Sequence, residues 1–433
     1  MPQNSLSTPA AVPATPAKGD RPWVNLIVAW LGWLFDGMEM GIYSLIAVPA
    51  LKELLHTAKM QAVLPKVGLM FALFLLGAAL GGYVFGRLGD KIGRVKSLAL
   101  TVICYSLFTG LSAMCTDVWQ FGACRFLGAL GLGGEWGLGV ALVMESWSNK
   151  SRPMLAGVLG AAANIGFLVC AIIGLLMAKF VTGGVNEHWR MILLIGILPA
   201  ITVLFMLLGV REPEAWKKSK ARGERPDVKT LWQPGLRYKT VMGCLIASIV
   251  VLGTWGVFQW IPSWVDQLVG ANKTPFQKPM TQMFMAFGQI TGAFFGGFIA
   301  EWIGRRKSYA LYCLGSFVAS AALFYFVRSY GPVLWIMAAV AGVFSTAFFG
   351  WLPLYLPELF PTRIRATGEG ITYNFGRVLA AVGVFAGMAN LYHFFGDGAR
   401  AFAKASTVMA SVYIIGLIII WFMPETKGQK LPE

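Results

Sequence analysis

Twelve long apolar runs, separated by short polar intervals, recur through the 433 residues. They fall roughly at 23–51, 65–88, 97–115, 118–146, 154–182, 189–210, 239–269, 279–303, 306–327, 331–358, 364–394 and 399–423. About 20 apolar residues carry a helix across a bilayer. Hydrocarbon offers no hydrogen-bond partner, so only helices and closed barrels can cross it. Barrel strands alternate apolar and polar residues over short segments, and these runs do not alternate. The chain therefore reads as an all-α membrane protein of twelve transmembrane helices. Composition agrees, with 57% hydrophobic and 13% charged residues and a mean hydropathy of +0.64.

The net charge of +16 could suggest a nucleic-acid partner, but its distribution excludes one. Of the 36 Lys and Arg residues, 24 fall in one alternate set of inter-helix segments and 10 in the other. Cytoplasmic loops are the ones enriched in Lys and Arg, so both termini are assigned to the cytoplasm. The longest polar interval, 211–238, belongs to the same side as a linker between six-helix bundles over 23–210 and 239–423. Residues 1–22, rich in Ala, Pro, Ser and Thr, read as a disordered cytoplasmic tail, and 424–433 as a second tail. The six cysteines fall inside apolar runs without metal-ligand spacing and read as buried hydrophobes.

The two halves repeat in two pseudo-symmetric sets. Gly86 opens GRLGDKIGRVK, and Gly297 opens GFIAEWIGRRK 211 positions later. Glu145 opens ESWSNKSRPMLAG, and Glu358 opens ELFPTRIRATGEG 213 positions later, which aligns Arg152 with Arg365. The pairs Gly77/Gly81 and Gly288/Gly292 place small residues four apart, where they let helix backbones approach. Parallel six-helix repeats, with a site between them near the midplane, are an architecture of secondary transporters.

On these residues the chain is identified as a member of the major facilitator superfamily over its length after the tail. The resemblance is carried by Gly86, Leu88, Asp90, Gly93 and Arg94, by RFLGALGLGGEWG in the fourth span, and by PETKG from Pro424. Within that superfamily it resembles the metabolite and organic-acid proton symporters of the sialate and aromatic-acid branches. DGME from Asp36 is similar to their DGFD, and GGEWG is typical of them. PETKG resembles the sugar-porter branch instead.

The first span holds two acids near its middle, Asp36 and Glu39, which share a helix face. A carboxylate there is costly unless it is protonated, paired or facing water. Arg125 is the cation available in the same half. Gly128, Gly131 and Gly133 are expected to thin the fourth helix so that it packs beside the first. An arginine whose carboxylate partner gains and loses a proton is the minimal electrostatic part of a proton-coupled carrier. A static ion pair orienting two helices is the alternative. Glu135, nearly three turns beyond Arg125, reads either as a second protonatable site or as a carboxylate bonded to backbone amides.

Arg377, in the eleventh span, has no acid close to it on its own helix. A guanidinium facing a cavity suits a bidentate grip on a carboxylate. YNFGR from Tyr373 resembles the motif of organic-anion carriers whose arginine contacts the substrate, and Tyr373 and Asn374 lie one turn earlier. Trp255, Gln259, Gln289, Asn164, Trp351 and Tyr355 are further cavity candidates, and Trp264 is assigned to the interfacial belt. By resemblance, Asp90, Arg94, Glu145 and Arg152, with Glu301, Arg305, Glu358 and Arg365, form charge networks that hold the cytoplasmic side closed.

Together these features describe a proton-coupled importer of a small organic anion, a monocarboxylate first of all. It works by alternating access as a monomer in a bacterial inner membrane. No metal or other cofactor is implied, and no ATPase motif or nucleophile–histidine pairing suggests an enzyme. A proton-coupled sugar or polyol symporter, which PETKG suits, and a non-transporting sensor with the same fold are the alternatives.

Overall fold

The computed structural model describes residues 22–57, 59–147, 151–181, 187–198, 201, 206, 209–222, 227–258, 261–270, 276–396 and 398–432. Among the described residues there are helices and no strand. The first half comprises α1 (Pro22–Leu54), α2 (Met60–Ile92), α3 (Arg94–Ser112), α4 (Val118–Ser146), α5 (Arg152–Phe180) and α6 (Trp189–Ile195). A short helix, α7 (Glu214–Ala221), lies in the connecting segment. The second half comprises α8 (Leu236–Val257), α9 (Ile261–Val269), α10 (Gln277–Ile303), α11 (Arg305–Phe326), α12 (Pro332–Tyr355), α13 (Arg365–Phe394), α14 (Ala399–Ala410) and α15 (Val412–Ile419).

Ten of the twelve expected spans meet the length and apolarity of a membrane crossing among the described residues. The eleventh is the 30-residue α13, and α6 is the start of the sixth. The seventh span is α8 followed by α9, and the twelfth is α14 followed by α15. The N-terminal tail, apart from Pro22, and Gln259 lie outside the described residues.

Two tight corners mark the repeat. Gly93 (φ +119°) joins α2 to α3, and Gly304 (φ +97°) joins α10 to α11. A side chain is strained in that backbone region, so glycine permits the helix to restart at once.

Helices in lipid associate by packing and not by a hydrophobic drive, and here glycine makes the packing close. Gly81 of α2 sits against the Leu130 carbonyl of α4, and Gly288 of α10 against the Ala339 carbonyl of α12. The same device joins the halves. Gly82 and Gly86 of α2 meet Gly370 and Ala366 of α13, while Gly157 of α5 and Gly297 of α10 meet the Phe294 and Pro153 carbonyls. Both crossings lie toward the end that the charge bias assigns to the cytoplasm. Farther out, the Phe71 and Trp255 rings touch edge-on across the halves at 6.2 Å.

At the outer end α1 is tied to α6. The Glu53 carboxylate accepts from the Trp189 indole at 2.6 Å and pairs with Arg190. Those two hydrogen bonds hold its carboxyl below the usual range.

Replacing Gly288 by Leu should therefore force α10 off α12. Overpacking of this kind costs about 1–3 kcal/mol and should lower the thermal unfolding midpoint of the purified protein. Gly331→Ala, where a Cβ meets nothing within 4 Å, should leave the midpoint unchanged.

Candidate functional site

The charged residues of the two repeats assemble into two matched nodes at the cytoplasmic helix ends. Arg94 pairs with Asp90 at 2.8 Å and with Glu145 at 3.1 Å. Arg305 pairs with Glu301 at 2.6 Å and with Glu358 at 2.7 Å. Each arginine also begins a helix whose free N–H groups are met by a glutamate from elsewhere. Glu212 accepts from the backbone of Arg94, Val95 and Lys96, and Glu425 from that of Arg305 and Arg306. A carboxylate there satisfies otherwise orphaned donors and complements the helix dipole. These two glutamates, 213 positions apart, were legible in the repeat offset as REPE and PETK.

The nodes are not equivalent. Asp90 also accepts from the Ala366 and Thr367 N–H groups of α13, at 3.3 and 2.9 Å, and from the Thr367 hydroxyl. Arg94 reaches the Thr362 carbonyl at 2.9 Å, and Arg365 pairs with Glu145 at 2.9 Å. All of these bonds cross from one half to the other. On the opposite flank Pro153 stands where the repeat aligns Ala366, and proline has no N–H to give. Glu301 is correspondingly 45% exposed, whereas Asp90 is fully buried. Arg152 donates instead to the Met144 carbonyl of its own half. The interval between the halves is not plain linker: Trp216 of α7 is buried and donates to the Asp90 carbonyl at 3.0 Å.

Deeper in the molecule, the two acids of α1 go to different partners. Glu39 pairs with Arg125 of α4, whose guanidinium lies over the rings of Tyr43 (4.3 Å) and Phe74 (5.0 Å). Asp36 faces Glu135, also of α4, within side-chain hydrogen-bonding reach. Both acids of that second pair are buried. The Glu135 carboxyl is admitted because Gly32 of α1 has no side chain at that point.

The α4 glycines do other work than expected. Gly128 and Gly131 face α3 and Gly133 faces Ala78 of α2, whereas Gly139 is the α4 glycine that lies against Trp33 of α1. The physical reason is angular: Gly128 and Gly131, three apart, share a face, whereas Gly133, two beyond Gly131, is turned to nearly the opposite side.

From the other half, α13 brings Tyr373, Asn374 and Arg377 to the same place. Tyr373 stacks on Trp136 at 4.1 Å, and Trp136 on Trp33 at 5.6 Å, a three-ring column through α13, α4 and α1. Arg377 lies 5.2 Å from the Tyr373 ring and donates to Asn374 Oδ1 at 3.0 Å. Asn374 in turn donates to the Gly133 and Gly370 carbonyls, so its amide is a strut between halves that aims Arg377. Among the described residues no carboxylate lies within ion-pair distance of Arg377, while Asp36 is within electrostatic reach. Trp33 and Trp136 were not singled out in the sequence; their neighbours Asp36 and Glu135 were.

Several buried polar atoms of this cluster have no hydrogen-bond partner among the described residues. They are both Glu135 oxygens, Asp36 Oδ1, Glu39 Oε2, Arg125 Nε and the indole nitrogens of Trp33 and Trp136. Buried polar groups are otherwise almost always bonded, to water if not to protein. Asp36 and Glu135 could satisfy one another if one carried a proton, which leaves Glu39, Arg125 and the two indoles with buried atoms unbonded among the described residues.

Other candidates fall elsewhere. Gln289 packs against Gly342 of α12, and Asn164 donates to the Gly160 carbonyl of its own helix. Trp255 stands beside Phe71, outward of the cluster. Tyr355 is a correction: it stacks on Trp351 at the cytoplasmic end, and its hydroxyl donates to the Pro424 carbonyl. Trp351 likewise donates to the Arg305 carbonyl. Trp264 is a second correction, because it is 1% exposed, packs on Phe324 and donates to the Ala399 carbonyl. It is a core residue, out of reach of an interfacial belt.

A family model described as "Major Facilitator Superfamily" matches residues 29–384. The cis,cis-muconate transport protein of Acinetobacter baylyi is 27% identical, over 84% of this chain and 86% of its own length. The niacin transporter NiaP of the same organism is 27% identical over 94% of each chain. Among solved structures, the proton:xylose symporter XylE superposes with a TM-score of 0.77 over 95% of this chain and 97% of its own, at 18% identity.

The two capping glutamates share no partner, so their contributions should add. Glu212→Ala and Glu425→Ala should each cost about 0.5–2 kcal/mol and lower the unfolding midpoint. The double variant should fall within about 0.5 kcal/mol of the sum, measured by denaturation in one detergent.

Proposed function

The chain belongs to the major facilitator superfamily and is a multi-pass membrane transporter; within that family we propose that it imports a small organic anion, a monocarboxylate, together with a proton. The observation that carries this reading is the set of partnerless buried polar atoms on α1 and α4, with Arg377 of α13 unpaired to any carboxylate among the described residues. Leaving such groups dry costs about 1–3 kcal/mol each. A cargo that supplies the missing partners offsets that cost and favours closure around itself.

In this reading Arg377, held by Asn374, takes the carboxylate in a forked hydrogen bond. The Tyr373–Trp136–Trp33 column offers a flat apolar wall, and the indole N–H groups offer donors at its edge. A flat, unsaturated or aromatic body suits that wall better than a sugar ring. One relative is named for niacin and another for muconate, which supports an organic acid as cargo. PETKG gives no support to a sugar, since Glu425 is occupied as a helix cap.

The proton belongs to the acids opposite. Two carboxyl groups in hydrogen-bonding reach bond only when one carries a proton, which suits Asp36 and Glu135 as one proton-holding pair. Glu39, with Arg125 as its alternating partner, carries the proton that travels with the anion, while the proton of the Asp36/Glu135 pair stays with that pair. Cargo and proton together bring no net charge into the cluster, so the loaded state crosses without stranding a charge in hydrocarbon.

The test uses purified protein in liposomes with a trapped pH dye and an imposed proton gradient, empty liposomes giving the passive rate. Addition of one planar monocarboxylate should acidify the lumen in a protein-dependent way. Arg377→Ala should weaken binding by about 10- to 100-fold, and Glu39→Gln should leave exchange intact while abolishing gradient-driven accumulation. Acidification driven by glucose and not by any acid would refute the reading.

A further inference from the structure

Glu369 is the one buried acid of α13 that the transport reading leaves without a task. It is fully buried, and neither carboxyl oxygen has a hydrogen-bond partner among the described residues. It stands one helical turn after Arg365 and two turns before Arg377. The charged groups around it are Arg365 on its own helix, Glu145 from α4, Arg94 from α3 and Asp90 from α2. From α8, Gly243 packs against the next turn at Thr372 and brings no charge.

Arg365 is already committed. Its Nη1 donates to Glu145 across the halves, and its Nη2 donates to the Pro432 carbonyl at 2.6 Å. Its Nε is buried with no partner. A partnerless donor and a partnerless acceptor thus sit four residues apart on one helix, the spacing at which side chains can pair. While Arg365 stays with Glu145, an ionised Glu369 would be a buried charge with no ion-pair partner of its own among the described residues, which disfavours that form. In this closed arrangement the carboxyl is therefore neutral.

We propose that Glu369 is a protonation site that biases the cytoplasmic latch, its ionised form drawing Arg365 away from Glu145 and so removing the one ion pair that crosses between the halves there among the described residues. The proton leaves the Glu369 carboxyl for cytoplasmic water. The guanidinium then exchanges one carboxylate for another, so no charge is left alone in either state. When a proton returns, Arg365 goes back to Glu145 and the end closes. Opening toward the cytoplasm is thereby tied to the departure of a proton at that face. The inference rests on the chain being a two-state carrier and on no choice of cargo.

The test follows the gate and not transport, so it fails or stands apart from the anion reading. Spin labels on genetically encoded amino acids would replace Lys96 and Lys307, both exposed and at cytoplasmic helix ends of opposite halves. Distance distributions would be recorded in lipid nanodiscs between about pH 5 and pH 9, where displaced carboxyl groups titrate. The open population of the otherwise unaltered protein should rise about tenfold or more over that range. Glu369→Gln should hold the closed distance and remove the rise. Glu369→Met, of similar volume and unable to ionise, repeats the test without a polar amide. A pH-independent distance in the unaltered protein, or a rise that persists in either variant, overturns the proposal.

Discussion

A charge in hydrocarbon must bring its own partner, and that requirement organises this molecule more than any packing detail. Among the described residues, apart from the two arginines of the central cluster, the cations lie in loops or within about two turns of a helix end. At the cytoplasmic end they are gathered into Arg94 and Arg305 nodes, each with two carboxylates and a capping glutamate. Exposed ion pairs are individually weak. Apart from Arg305–Glu301, whose acid is 45% exposed, these are buried, and breaking one leaves its partner a buried charge.

The central cluster obeys the same rule by a different route. Glu39 and Arg125 pair with each other, while Asp36 and Glu135 keep oxygens without a partner among the described residues and Arg377 is bonded to Asn374 and to no carboxylate there. The incompleteness is local: the helices that carry these groups are otherwise cemented by glycine crossings and by the Asn374 strut. A rigid frame around unfinished bonds is what a reversible binding place requires, since a floppy frame would collapse onto itself and complete them.

Much of the fold was legible because its signals are one-dimensional. Span length, loop charge and a repeat offset need no knowledge of which helix faces which, and Asp90, Arg94, Glu145, Glu301, Arg305, Glu358 and Arg365 follow from them. What was not legible is angular. Asp36 and Glu39 differ by about 60° around the helix axis, enough to send one to Glu135 and the other to Arg125. Gly131 and Gly133 diverge for the same reason. Trp264 and Tyr355 were misjudged because composition near a helix end cannot distinguish a lipid-facing or cavity-facing ring from one turned into the bundle. Glu212 and Glu425 were visible in the offset, yet a capping carboxylate is recognised only once the helix it caps is known to start beside it.

Pro153 has a consequence of its own. A duplicated gene would begin with two identical clasps, and opening would demand that both be undone. An imino acid in place of Ala366's counterpart deletes the clasp on one flank: among the described residues no hydrogen bond joins α5 to α10, and what remains there is glycine against carbonyl. Such a contact has shape but no direction. The α5/α10 flank is thus held by shape and the α2/α13 flank by directed bonds as well, an asymmetry that traces to a single missing hydrogen.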